Sequence, residues 1–114
     1  MSTSDLFPRR GEIYWVNMDP ALGTEIQKTR PAVILSCNIG NQKGSRVIVA
    51  PLTSTVKEVY RFEVLTELGT TKSKILLDQM RAVDKRRLLK KIDDLDFDVM
   101  KSVEEVLKVI LALT

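Results

Sequence analysis

The sequence contains no histidine and only one cysteine, Cys37, among its 114 residues. Without histidine, imidazole acid–base pairs, zinc sites with His ligands, and every Ser-His or Cys-His nucleophile system are excluded. With one cysteine, no intramolecular disulfide forms, which is typical of a protein in a reducing cytosol. Any catalysis must therefore use Arg, Lys, Glu, Asp, Tyr, Ser or Thr.

The chain also lacks targeting, membrane-spanning and cofactor-binding signals. Residues 1–8 have no apolar core of signal-peptide length, and the apolar residues 106–113 are interrupted by Lys108 and too short to cross a bilayer. There is no Gly-rich phosphate loop, and the aspartates of residues 93–98 lack the glycine turn and closing glutamate of a calcium loop. We therefore expect a cytoplasmic protein with no metal, no cofactor and no membrane partner.

The overall composition is that of an ordinary soluble domain. Hydrophobic residues make up 44% and charged residues 29% of the chain, and a length of 114 residues suits one domain. The formal charge of +3 permits a polyanionic partner without requiring one. We expect residues 1–9 to form a flexible leader and residues 10–114 to form a single domain.

Apolar and β-branched segments separated by turn signals predict a mainly β fold, a small barrel or sandwich. Tyr14 and Trp15 fall on opposite faces of the first strand; the core is the default position for both, although either can form a stacking surface. Residues 38–44 are interpreted as a turn-rich loop. The strands are predicted at residues 12–18, 32–35, 46–52, 60–65 and 73–80.

Two helices are predicted near the C-terminus. Asp84 is expected to cap a short helix over residues 85–91, whose many cations are interpreted as its solvated face. The acidic residues 93–98 are expected to open a longer helix, because carboxylates stabilise a helix N-terminus. Its apolar face should pack on the sheet or on a partner. That face contains Val99, Met100, Val103, Val106, Leu107, Ile110 and Leu111.

The loop that leads into the second strand contains a notable cation. Pro31 is expected at the first position of that strand and restricts the backbone of Arg30 before it. A guanidinium presents a planar fork of donors that suits phosphate oxygens. From these residues alone, a surface ion pair between Arg30 and Glu25 is the slightly favoured alternative.

The order of these features along the chain resembles the MazF/PemK family of toxin endoribonucleases. The resemblance covers nearly the whole chain except the first eight or nine residues, and each motif is weak alone but specific in combination. The matching pieces are Arg10-Gly11-Glu12-Ile13-Tyr14, Gly23-Thr24-Glu25, Arg30-Pro31, Val49-Ala50-Pro51-Leu52-Thr53 and residues 77–88.

The resemblance implies an SH3-like barrel with short helices and a C-terminal α-helix, assembled as a homodimer. It further implies the toxin of a type II toxin–antitoxin system, which cuts single-stranded RNA at a specific sequence without metal and is blocked by a cognate antitoxin. The implied catalytic pair is Arg30 and Thr53. The implied RNA-binding residues are Thr24, Glu25, Lys28 and Gln79.

The chemistry that these residues allow is attack of the RNA 2′-OH on the adjacent phosphorus, leaving a 2′,3′-cyclic phosphate and a 5′-OH. Arg30 suits charge stabilisation and Thr53 can donate its hydroxyl to the same phosphate. The proton acceptor stays open between Glu25, a substrate group and water. Two alternatives remain: a CcdB-like DNA gyrase poison on the same fold, and a barrel that only binds nucleic acid. The cleavage sequence, the antitoxin, the physiological RNA and the base-reading residues do not follow from the sequence.

Overall fold

The computed structural model describes residues 6–113, which form seven strands and two helices. Two single 3₁₀ turns, Leu77–Gln79 and Lys85–Arg87, flank the sixth strand. The strands are β1 (Glu12–Asn17), β2 (Thr29–Ile34), β3 (Arg46–Thr53), β4 (Glu63–Leu68), β5 (Thr71–Leu76), β6 (Arg81–Asp84) and β7 (Leu88–Asp94). The helices are α1 (Asn38–Lys43) and α2 (Phe97–Ile110).

All seven strands belong to one antiparallel sheet in the order β4-β5-β3-β2-β1-β7, with β6 paired to β3 outside that path. The sheet bends along the long strand β3, because the two halves of this strand pair with different strands on the side away from β2. Residues 46–49 pair with β6, whereas Leu52 and Thr53 pair with β5. The sheet therefore curls into a half-barrel, and the predicted mainly β architecture with a C-terminal helix is confirmed.

The sheet separates two apolar clusters because alternate side chains of each strand point to opposite faces. Ile13 and Val33 belong to the cluster that α2 covers, whereas Val16 and Ile34 belong to the other. Val103 of α2 is completely buried in the first cluster. The predicted packing of the apolar helix face on the sheet is confirmed, except that Leu111 is half exposed.

The long helix begins as its acidic residues predict, although only part of the acidic cluster takes part. Asp96 is the N-cap, and its carboxylate accepts from the backbone N–H of Asp98 at 3.1 Å. Asp93 and Asp94 instead end strand β7. The Asp94 carboxylate pairs with Lys91 at 3.0 Å.

The prediction of a helix over residues 85–91 is wrong beyond its first turn. Asp84 does cap that turn, since its carboxylate accepts from the backbone N–H of Arg86 at 2.8 Å. The chain then continues as β7, whose pairing with β1 places Leu88 opposite Val16. Pairing with the sheet thus overrides the helix-favouring composition of this cationic run.

The prediction of a loop over residues 38–44 is also wrong, because residues 38–43 form α1. The helix is held by a buried asparagine. Asn41 is fully buried, and its side-chain nitrogen donates to the carbonyl of Ser36 at 2.9 Å. The hydroxyl of Ser36 completes the link by accepting from the backbone N–H of Ile48 in β3 at 2.9 Å. Local sequence propensity does not predict this helix, because the helix depends on these tertiary contacts.

Several strand boundaries differ from prediction. β2 begins at Thr29, so Pro31 is its third residue and not its first. The proline is tolerated because pairing with β3 begins only at Ala32, which leaves β2 an edge strand on that side at Pro31. β4 spans Glu63–Leu68 rather than residues 60–65, and β5 ends at Leu76, where the 3₁₀ turn begins.

The expected leader, residues 1–9, lies partly outside the described residues. Within the described part, the backbone N–H of Arg9 donates to Glu12 Oε1 at 2.7 Å. The Arg9 guanidinium lies 4.4 Å from the centre of the Phe7 ring. Among residues 6–113, no helix is long and apolar enough to cross a membrane.

Candidate functional site: a groove between two strand ends

The pairing of β2 with β3 brings Arg30 and Thr53 together. In this antiparallel register Ala32 lies opposite Pro51, and Ile34 lies opposite Val49. Extending the register by two residues in each strand brings Arg30 opposite Thr53, beyond the last ladder pair. Both side chains line one groove of about 440 Å³. The two residues of the implied catalytic pair, 23 positions apart in sequence, are therefore neighbours in the fold.

Arg30 has a half-buried side chain whose guanidinium is only partly used by the protein. Its Nε donates to the carbonyl of Gln27 at 3.2 Å, which fixes the plane of the guanidinium. Within the described part of the chain, the terminal nitrogens of Arg30 make no ion pair. The alternative of a surface pair with Glu25 is wrong, because Glu25 Oε1 accepts from the backbone N–H of Leu22 at 2.7 Å. The charge of Arg30 is available to an anion in the groove.

Thr53 is the last residue of β3 and has a partly exposed side chain. Its Oγ1 accepts from the backbone N–H of Thr55 at 3.2 Å. A hydroxyl that accepts one bond through its oxygen keeps its own hydrogen for donation. The groove thus contains a fixed cation and a neutral donor from adjacent strands, a combination that suits a phosphate group.

Trp15 contributes an aromatic surface that the sequence interpretation assigned by default to the core. Its side chain is 37% exposed, lines the same groove, and lies opposite Pro31 in the pairing of β1 with β2. Tyr14 points to the other face and is half-buried, with its hydroxyl donating to Glu12 Oε1 at 3.1 Å. Burial, reinforced by the Glu12 carboxylate, raises the pKa of Tyr14 to about 12. The stacking option therefore belongs to Trp15.

Glu25 and Gln79 lie together, but in a second groove of about 510 Å³ rather than beside Arg30 and Thr53. The side-chain oxygen of Gln79 accepts from the backbone N–H of Ile26 at 2.7 Å. Five residues of the loop that joins β1 to β2 line this second groove together with residues 78–81, namely Met18, Pro20, Leu22, Glu25 and Ile26. Glu25 is therefore poorly placed to take a proton at the Arg30 groove.

The same loop exposes the two remaining residues predicted to contact RNA. Thr24 and Lys28 both have solvent-exposed side chains. Lys28 has a positive φ of 70°, and its backbone N–H donates to Asp19 Oδ1 at 2.9 Å, which closes the loop at its base. Lys28 directly precedes β2 and so lies two residues before Arg30.

Two arginines of the cationic region hold the start of this loop in place, a role that the sequence interpretation missed. Arg81 Nη1 donates to the carbonyl of Met18 at 3.0 Å. Arg87 Nη1 donates to the carbonyl of Asn17 at 3.2 Å and also to that of Asp19. Arg81 lies 63 positions after Met18 in the sequence, and Arg87 lies 70 positions after Asn17. Long-range contacts of this kind leave no local sequence signal.

Two other cations of this region, Arg86 and Lys91, are paired with carboxylates. Arg86 binds the Asp84 carboxylate with Nε and Nη2 at 3.0 and 3.1 Å. These bonds, with the backbone N–H of Arg86, lower the pKa of Asp84 to about 2. Lys91 lies between Glu12 and Asp94, 3.0 Å from each carboxylate, and the pKa of this lysine is raised by both. Among residues 6–113, no three acidic or cysteine side chains gather where they could hold a metal ion.

Comparison with known proteins gives consistent matches across almost the full chain. Residues 9–111 match the family model described as PemK-like, MazF-like toxin of type II toxin–antitoxin system. Endoribonuclease EndoA of Bacillus subtilis is 33% identical over 111 residues, covering 92% of this chain and 95% of that protein. Endoribonuclease MazF9 of Mycobacterium tuberculosis is 36% identical over 114 residues, covering 92% of this chain and 97% of that protein.

The fold has a matching relative among the solved structures. The crystal structure of MazF from Deinococcus radiodurans superposes with a TM-score of 0.82 at 32% identity. The superposition covers 95% of this chain and 99% of that chain. The curled sheet and the C-terminal helix therefore occur together in a protein whose sequence is clearly related to this one.

The contact between Gln79 and Ile26 yields a prediction about the wall of the second groove. Replacing Gln79 with Ala removes the acceptor of a partly buried backbone N–H, which should cost about 1 kcal/mol of local stability. We expect the Ile26 amide to exchange its hydrogen roughly five to ten times faster, measured by NMR, with the core strands unchanged. Gln79→Glu keeps an oxygen at this position and should preserve protection. Equal exchange in wild type and Gln79→Ala would contradict the anchoring role.

Proposed function

The chain belongs to the family of PemK-like and MazF-like toxins of type II toxin–antitoxin systems, and on that basis we propose that it is an endoribonuclease that cleaves single-stranded RNA. The observation that carries the proposal is the position of Arg30 opposite Thr53 in one open groove. A phosphate in that groove meets a fixed guanidinium and a hydroxyl donor from two adjacent strands. The relatives in Bacillus subtilis and Mycobacterium tuberculosis are named endoribonucleases, which supports the same activity.

The reaction that fits this site is an internal transesterification. The 2′-OH of RNA attacks the adjacent phosphorus, the bond to the 5′-oxygen breaks, and the products are a 2′,3′-cyclic phosphate and a 5′-OH. Negative charge grows on the phosphoryl oxygens as the attack proceeds. Arg30 stabilises that charge with its terminal nitrogens, and Thr53 donates its hydroxyl hydrogen to fix the orientation of the phosphate.

The reaction also moves two protons, one away from the 2′-OH and one to the leaving 5′-oxygen. A guanidinium does not lose its proton in proteins, so Arg30 is not the general base. Glu25 lines the second groove and accepts a bond from Leu22, which removes it from the immediate site. We therefore assign the 2′-proton to water or to a substrate oxygen. The leaving 5′-oxygen takes its proton from water in the open groove, while Arg30 and Thr53 stabilise its charge as hydrogen-bond donors. Because the sequence contains no histidine to act as general base, the expected rate is modest.

Single-stranded RNA suits the two grooves because its bases are free to stack and to present their edges. Trp15, beside Arg30, offers a face on which a base next to the cleaved phosphate stacks. Glu25 and the amide nitrogen of Gln79 offer an acceptor and a donor for base edges in the second groove. Thr24 and Lys28, exposed on the loop that joins β1 to β2, contact the backbone of the strand.

The proposal includes three further properties. The active form is a homodimer, which agrees with a C-terminal helix that exposes Phe97 and Val109 and is followed by the exposed Leu111. The cognate antitoxin inserts an acidic segment across the Arg30 groove, where the free guanidinium favours a carboxylate. The protein acts in the cytoplasm, where its RNA substrate and the reducing conditions suited to one free cysteine are found.

The gyrase-poison alternative is not favoured. A protein that only binds gyrase has no need for a guanidinium and a hydroxyl converging on one groove, and the reported relatives are named for RNA cleavage. A barrel that only binds nucleic acid predicts retention of RNA without products. A single RNA cleavage assay therefore distinguishes RNA binding alone from RNA cleavage.

Substitution of the two groove residues tests the catalytic assignment. Arg30→Ala should lower kcat for an RNA substrate by about 10²- to 10³-fold, because it removes the charge that meets the phosphate. Thr53→Ala should lower kcat by about tenfold, since it deletes one hydroxyl donor. Arg30→Lys should restore little activity, because an ammonium cannot reproduce a two-donor fork. Initial rates with a fluorescent oligoribonucleotide measure all three.

Arg46→Ala is the matched control for these variants. Arg46 is an exposed arginine at the opposite end of β3 and lines neither groove. This variant should cleave RNA within about twofold of wild type and, like the others, should unfold within about 0.5 kcal/mol of it. Normal cleavage by Arg30→Ala, or its loss only through unfolding, would overturn the assignment of Arg30.

The chemistry of the products tests the reaction type. RNA cleavage should continue in excess EDTA and should leave a 2′,3′-cyclic phosphate on one fragment and a 5′-OH on the other. Mass spectrometry of the fragments identifies both ends, and a metal-dependent nuclease in the same buffer shows that chelation is complete. Fragments with a 5′-phosphate, or loss of activity with EDTA, would contradict the internal transesterification.

A further inference from the structure

A buried cation, Lys74, lies directly beside the proposed catalytic threonine. Lys74 is the fourth residue of β5 and pairs with Thr53, the last residue of β3. Only 7% of Lys74 is exposed, although lysine is among the residues least often buried. A charge at such a position requires partners that compensate for its lost hydration.

The partners of Lys74 all come from the segment that follows Thr53. Its Nζ lies 2.8 Å from Glu63 Oε1 and donates to the carbonyl of Glu58 at 2.6 Å. The same nitrogen lies 5.3 Å from the centre of the Tyr60 ring, within cation–π range. The side chains of the Lys74–Glu63 pair are 8% and 10% exposed, so the ion pair is buried.

The segment is also tied to itself around this lysine. Glu63 Oε1 accepts from the backbone N–H of Tyr60 at 2.8 Å, and the hydroxyl of Tyr60 donates to the Glu58 carboxylate. Apart from these contacts, residues 54–61 are mostly exposed and form no strand or helix. Lys74 therefore closes the loop between Thr53 and β4 by binding its middle and its end.

A stability argument does not explain this arrangement. A buried ion pair often contributes no more than well-packed apolar side chains of similar size, because dehydrating both charges is costly. What the pair supplies is a fixed geometry. One end of the loop is Thr53, whose Oγ1 is oriented by the backbone N–H of Thr55 two residues into the loop. Holding the loop fixes that N–H and so fixes the direction of the Thr53 hydroxyl.

We propose that Lys74 is a positioning residue for RNA cleavage: through Glu58, Tyr60 and Glu63 it holds residues 54–62 so that the Thr53 hydroxyl faces the phosphate. The expected effect on RNA cleavage rests on the proposed ribonuclease function, whereas the anchoring of residues 54–62 by Lys74 does not. Lys74 itself does not touch the substrate, because its Nζ is enclosed by the loop.

The experiment compares Lys74→Met with the double variant Lys74→Met/Glu63→Gln. The single variant leaves the Glu63 carboxylate buried without its cation and is expected to lose stability. The double variant removes both charges, and the Gln oxygen still accepts from the Tyr60 N–H, so this variant keeps its fold. Lys72→Met is the matched control, because Lys72 is an exposed lysine on the same strand.

In the double variant, hydrogen exchange followed by mass spectrometry should be at least about tenfold faster in residues 54–62 and unchanged in β1, β2 and α2. Its kcat for RNA should fall by about tenfold or more while KM stays within about twofold, because misplacement of Thr53 affects the transition state more than binding. Lys72→Met should match wild type in both measurements.

Wild-type kcat in the double variant, or unchanged exchange in residues 54–62, would overturn the proposal. A double variant that fails to fold, judged by circular dichroism, would also overturn it, since Lys74 would then serve stability alone. If the wild type cuts no RNA, but hydrogen exchange in residues 54–62 is still faster in the double variant than in the wild type, the proposed function is rejected and Lys74 remains the anchor of the loop.

Discussion

The register of β2 against β3 is the constraint on which the rest of the site depends. It is held by apolar packing on both faces of the sheet, since Ala32 and Ile34 are fully buried in one cluster and Val33 in the other, and a shift by one residue would exchange side chains of different volume between the two. The same register extends to the strand ends, where core packing stops and the groove begins. There it leaves Arg30 opposite Thr53. The position of the proposed catalytic pair is therefore determined by hydrophobic packing a few residues away.

Around this pair, cations are used mainly to hold backbone rather than to present positive charge. Arg81 and Arg87 bind carbonyl groups at the end of β1, and Lys74 binds one in the loop after Thr53. Each fixes a loop that borders a groove. Arg30 differs because it binds backbone through Nε, so that its terminal nitrogens, which make no ion pair among the described residues, can meet a phosphate.

Sequence patterns predicted the parts of the molecule that depend on local periodicity and on motifs. Strands β1 and β3, the Asp84 cap, the acidic start of α2 and the buried face of that helix all follow from alternation, capping and a 3.6-residue repeat. The errors have one cause, which is long-range pairing. Residues 88–94 form a strand because they pair with β1. Helix α1 is held by the hydrogen bond from the buried Asn41 side chain to the Ser36 carbonyl. The separation of Glu25 from Arg30, and the exposure of Trp15, also depend on contacts that sequence spacing does not contain.

The central claim is that the protein stabilises charge while RNA supplies its own nucleophile. The most direct test is an oligoribonucleotide that carries a single 2′-deoxynucleotide on the 5′ side of the cleaved phosphate. The account predicts that this substrate binds with nearly the affinity of the all-RNA strand, because one hydroxyl is lost from the whole contact surface. It also predicts that no product forms at that position, since the attacking oxygen is missing. Cleavage of the substituted bond at the normal rate would contradict the account, because the nucleophile would then have to come from water or from the protein.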